Sequence, residues 1–90
     1  MSRLMRRTRS RRQPMRLLRW IFQRDNHTLT CQVDQQPGAG NYTLSLMPQS
    51  DAAAGIAETF NTAWSAFRRH AMIASELRRS GWTLAAYTAD

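Results

Sequence analysis

The chain has no lysine and a single cysteine, Cys31. One thiol cannot close an internal disulfide, so a bridge-stapled secreted scaffold is excluded. Long apolar runs are also missing: no stretch approaches the roughly 18–20 residues that a membrane-spanning helix needs. Acids are scarce, six against thirteen arginines, giving a formal charge of +7. Proline and glycine number only three and four, so each is informative about a boundary. Ninety residues allow one domain, burying roughly 60–65% of the unfolded surface, with a stability near about 5 kcal/mol. A small cytoplasmic protein in a reducing compartment is expected, with no membrane association.

The charge is unevenly spread. Residues 1–14 hold Arg3, Arg6, Arg7, Arg9, Arg11 and Arg12 with no acid. The other seven arginines face six acids, leaving the rest of the chain at +1. The arm offers only Leu4 and two methionines for burial, its like charges repel, and Pro14 closes it. A disordered arm over 1–15 and one α+β domain over 16–90 are therefore expected. Three readings of the arm compete: a phosphate-binding segment that releases counterions, a solvated tail, or an upstream extension ahead of a true start at Met15. Ser10-Arg11-Arg12 is not expected to act as an export signal, because Leu17 to Phe22 is broken by Arg19 and too short for an apolar signal core. An arginine-for-lysine bias more often reflects a GC-rich genome than chemistry, so it carries little functional weight.

Alternation then takes over. Over 17–23, Leu18, Trp20 and Phe22 share one face; over 28–34, Leu29, Cys31 and Val33 do. Asp25-Asn26 between them suits a two-residue turn, since both tolerate positive φ. That turn sets Phe22 opposite Leu29, Trp20 opposite Cys31 and Leu18 opposite Val33, so all six apolar side chains fall on one face. After Pro37-Gly38 and Gly40, residues 41–47 direct Tyr42, Leu44 and Leu46 inward, and Pro48 ends a third strand.

Ser50 or Asp51 is placed to cap a helix. Ile56, Phe60, Ala63, Trp64, Phe67, Ala71, Ala74 and Leu77 recur at spacings of three and four, which predicts one amphipathic helix over 52–79. Arg78 and Arg79 suit its negative end, and Gly81 its left-handed cap. Trp82, Leu84 and Ala86 alternate into a short closing strand. The expected fold is α+β: a three-stranded antiparallel meander, one long helix and a C-terminal strand (β-β-β-α-β). A helix over 52–79 would be about 42 Å long, whereas a seven-residue strand spans about 23 Å. It must break, near Gly55 or around Arg69-His70, or its apolar overhang must meet a second copy, which motivates a homodimer through the helix or an edge strand.

No catalytic, cofactor or metal site is expected. His27 lies at the hairpin tip and His70 on the helix, both read as solvated or capping residues. No two of His27, Cys31 and His70 have metal-ligand spacing on one element. Asp51 and Glu58 would share a helix face two turns apart, as surface residues. Cys31 reads as a small core side chain. Trp20, Phe22, Tyr42, Phe60, Trp64, Phe67 and Trp82 read as core, with Trp64 at the stripe's edge. The polar sheet face of Arg19, Ile21, Gln23, Thr28, Thr30, Gln32, Thr43, Ser45 and Met47 is left as surface. The expectation is a non-enzymatic binding or assembly module that self-associates and binds protein. The alternative is nucleic-acid binding, with Arg3, Arg6, Arg7, Arg9, Arg11 and Arg12 on phosphates and Arg19, Arg68, Arg69, Arg78 and Arg79 positioning.

Overall fold

The computed structural model describes residues 13–38 and 40–89, so the expectations for the arm over residues 1–12 lie outside the described residues. Gln13 and Pro14 lead into strand β1, Met15–Arg24, which starts inside the segment assigned to the arm. Strand β2, His27–Gln35, returns antiparallel. The register is the expected one: Phe22 lies opposite Leu29, Trp20 opposite Cys31 and Leu18 opposite Val33. Asp25 takes the left-handed conformation in the turn, at φ 56°. The register slips between Arg16 and Leu18, and this bulge allows the consecutive Leu17 and Leu18 both to pack on the core. Strand β3, Tyr42–Pro48, pairs with β2 and completes the meander.

The single long helix over 52–79 is corrected. Ala52–Ala54 make one 3-10 turn, in which the Ala54 N–H donates to the Asp51 carbonyl at 3.0 Å. Ile56–Phe60 form strand β4 against β3. The helix α1 is Ala63–Arg79, and its cap is Thr62, whose side-chain oxygen accepts from the Ser65 N–H at 3.1 Å. Seventeen residues make about 25 Å of helix, which matches a strand of about 23 Å. The overhang is gone, and with it that ground for a homodimer. Asp51 and Glu58 consequently share no helix face.

The C-terminus of α1 follows the expected pattern. Gly81 sits at φ 95°, its N–H donates to the Arg78 carbonyl at 3.1 Å, and the Trp82 N–H donates to the Leu77 carbonyl at 2.9 Å. Arg24 reinforces this end: Nη1 donates to the Ser80 carbonyl at 2.8 Å, and its guanidinium lies 5.0 Å from the centre of the Trp82 ring. Strand β5, Thr83–Ala89, then pairs antiparallel with β1.

Among the described residues the result is an α+β fold with one α-helix and a five-stranded antiparallel sheet, ordered β4-β3-β2-β1-β5. The chain leaves one edge at β4, crosses through α1, and re-enters at the other edge. Phe22, Cys31, Val33 and Leu44 from the sheet meet Ala66, Ile73 and Ala74 from the helix in a single core. These sheet residues alternate with the polar ones, so period-2 patterning alone places them under the helix.

Candidate interaction surfaces

The helix presents a different face from the one its bulk would suggest. Ala66, His70, Ile73 and Ala74 are buried, whereas Trp64 and Phe67 are 71% and 38% exposed. Small alanines let the helix backbone come close to Cys31, Val33 and Leu44, which a tryptophan on that face would prevent. The expectation that Trp64 and Phe67 are core is therefore corrected. Phe22 is fully buried, and Trp20, Tyr42, Phe60 and Trp82 are half-buried.

His70 is corrected as well: it is 2% exposed, not a solvated residue. Its ring meets Trp20 edge-on, with centroids 4.9 Å apart and planes at 88°. One ring nitrogen donates to the Cys31 carbonyl, while Nε2 is buried with no hydrogen-bond partner. Burial pushes the imidazole pKa down, and the Cys31 carbonyl opposes this. Cys31 is a buried core residue whose thiol is pushed up to about 12 by burial, with Arg69 acting in the opposite sense. A thiol held protonated in this way is a poor nucleophile and a poor metal ligand. His27 is exposed at the start of β2. Among the described residues, no three His, Cys, Asp or Glu side chains form a metal-binding group.

The arginines named as candidate phosphate contacts are dispersed rather than gathered. Arg69 reaches the β4 side, where Nε lies 3.0 Å from Glu58 Oε1 and Nη2 3.4 Å from Oε2. Arg79 pairs with Glu76 at 2.6 Å. Arg78 leans the other way, 5.9 Å from the centre of the Trp20 ring. Arg68 is exposed on the outer helix face that it shares with Arg79. Arg19 sits on the far side of the sheet, and Arg3, Arg6, Arg7, Arg9, Arg11 and Arg12 lie outside the described residues. No helix among the described residues is long and apolar enough to cross a membrane.

Two surfaces remain. The first is the sheet face away from α1, where the cross-strand pairs place the nine residues expected there. A shallow depression of about 430 Å³ runs over Arg19, Ile21, Thr30 and Met47. The second runs along the helix flank toward β1 and β5. Phe67 and Arg78, eleven residues apart, point the same way from the helix, and Arg78 lies over Trp20. Tyr87 of β5 adjoins Trp20 from the other side, 6.3 Å between centroids, and is 67% exposed. Trp64 continues the flank one turn before Phe67.

This second surface was not legible in the sequence, because the same spacings that announced a buried stripe also describe an exposed one. Only side-chain size separates them. Comparison with protein-family models, with curated proteins and with solved structures finds no match for this chain.

Proposed function

We propose that the protein is a small, non-enzymatic binding and assembly module of the cytoplasm, one that self-associates and binds protein. The observations that carry this reading are the exposed Trp64 and Phe67, one turn apart on α1, and the exposed Tyr87, which adjoins the half-buried Trp20. Scattered apolar residues on a surface need no explanation, but contiguous aromatic ones mark contact sites. Tryptophan and tyrosine are also the residue types that dominate interface energies. The buried, protonated Cys31 and the enclosed His70 support the non-enzymatic part, since both lie in the packed interior rather than in an open cleft. Light scattering on the full chain tests the reading: the mean mass rises with concentration, and a Trp64→Glu variant lowers it. A monomer mass throughout, with no protein partner retained by immobilised full chain, removes it.

A second reading has its own observation. Arg19 stands on the open sheet face beside Thr30 and Gln32, within β1, the strand that follows the six-arginine arm. In that version the arm supplies salt-sensitive affinity for a nucleic acid and the sheet face positions it. Retention on heparin that falls steeply with salt, and is lost from a chain starting at Met15, supports it; salt-independent elution refutes it.

A further inference from the structure

We infer that strand β5 is the seam of a twofold-symmetric homodimer, pairing antiparallel with β5 of a second copy so that two five-stranded sheets become one. This rests on the self-association reading and gives it a surface. The two edges of the sheet differ in a way that selects β5. β4 has five residues and carries Glu58 turned toward the helix, where it pairs with Arg69. A short edge with an inward-pointing charge is protected against pairing. β5 has seven residues, Thr-Leu-Ala-Ala-Tyr-Thr-Ala, with no charge and no proline. Its one irregularity is the register shift opposite Ile21 and Phe22, which leaves Ala85 between the paired positions.

Charge argues for a second copy as the occupant. A partner recognised by charge would need a complementary strip on the edge, and β5 offers none. An uncharged strand pairing with its own copy sets no like charges opposite each other. An antiparallel pair is also self-complementary about a twofold axis, as an isologous interface requires.

Area argues the same way. At 150–250 Å² per aromatic side chain, the exposed fractions of Trp64, Phe67 and Tyr87 amount to roughly 400 Å² of ring surface in water. A standard interface takes about 800 Å² per partner. The remainder is the β5 edge itself, about 23 Å long, with the exposed Ala85, Ala86 and Thr88. Pairing across β5 brings both helices to the same face of the joined sheet, with the Phe67 flanks turned toward each other. Tyr87 and Trp64 of both copies then fill the channel between the helices.

Hydrogen exchange and sedimentation on the full chain test this together. The β5 amides that do not bond to β1 are expected to gain protection as concentration rises from about 1 to 100 µM. Tyr87→Lys, at an exposed position, is expected to raise the dissociation constant at least tenfold with the far-UV spectrum unchanged. Dimers whose β5 exchange is independent of concentration, and which tolerate Tyr87→Lys, overturn the β5 seam while leaving the assembly reading intact. A wild-type chain that stays monomeric over the whole range overturns the seam and self-association together.

Discussion

Acidification should weaken the fold through His70. The ring is 2% exposed, lies edge-on to Trp20, and keeps one nitrogen unpartnered. Arg69 adjoins it in the chain, and Arg78 lies over the same tryptophan. Glu58 is already engaged by Arg69. Burial therefore lowers the folded-state pKa, opposed only by the Cys31 carbonyl. An unfolded histidine takes up its proton at about pH 6.5, so between that pH and the lower folded value the unfolded chain binds more protons. Stability is full above about 6.5 and declines as pH falls, by up to about 1.4 kcal/mol per pH unit for one proton. His70→Leu removes the titration and the orphan nitrogen, a burial cost of about 1–3 kcal/mol. It also forfeits the bond to the Cys31 carbonyl, about 0.5–1.5 kcal/mol. The variant should thus be within about 1 kcal/mol of wild type, or slightly more stable, at pH 8, and clearly more stable at pH 5. Urea midpoints of the two proteins across that range are the assay. Parallel pH curves would refute the placement of His70 in the core.

Other substitutions probe the same packing. Phe22→Ala empties the centre of the core and should cost about 3–5 kcal/mol in urea unfolding, whereas Trp64→Ala should cost well under about 1 kcal/mol in the isolated monomer. Equal losses at the two positions would mean that Trp64 is buried. Gly81→Ala forces a side chain into φ 95°, with only an ordinary 3.5 Å contact to Arg24 Cδ; the expected cost of about 1–2 kcal/mol is conformational. Glu58→Gln breaks a pair whose side chains are 40% and 38% exposed, so the change should stay below about 1 kcal/mol and shrink further in salt. Cys31 should resist thiol reagents at pH 8 in the folded protein and react fully in denaturant; fast labelling of the native state would contradict its burial.

The hairpin was legible because two unrelated signals, alternation and the Asp25-Asn26 turn, demanded one register. The start of the helix was misread for a physical reason. Ile56 and Phe60 stand four apart, a spacing that serves a helix face, yet Ile56, Glu58 and Phe60 also alternate as a strand does. The tie is broken by tertiary context: β3 has an unpaired edge for residues 56–60 to join. With the helix starting later, its cap is Thr62, which accepts from the Ser65 N–H, and not Ser50 or Asp51. The helix face was misread because hydrophobicity weighs Trp64 and Phe67 above Ala66 and Ala74, whereas close approach to a sheet favours the smaller side chains. His70 followed from the same rotation, since the face that takes Ala66 and Ala74 inward takes His70 with them.

The dependence of thermal stability on protein concentration is the most direct test of whether the aromatic flank and the β5 edge are an assembly surface. Association stabilises the folded state by mass action, so the unfolding midpoint should rise steadily from about 1 to 100 µM, and Tyr87→Lys should flatten that rise. A wild-type midpoint that does not move with concentration would show that Trp64, Phe67 and Tyr87 stay in water, and that no second copy covers them.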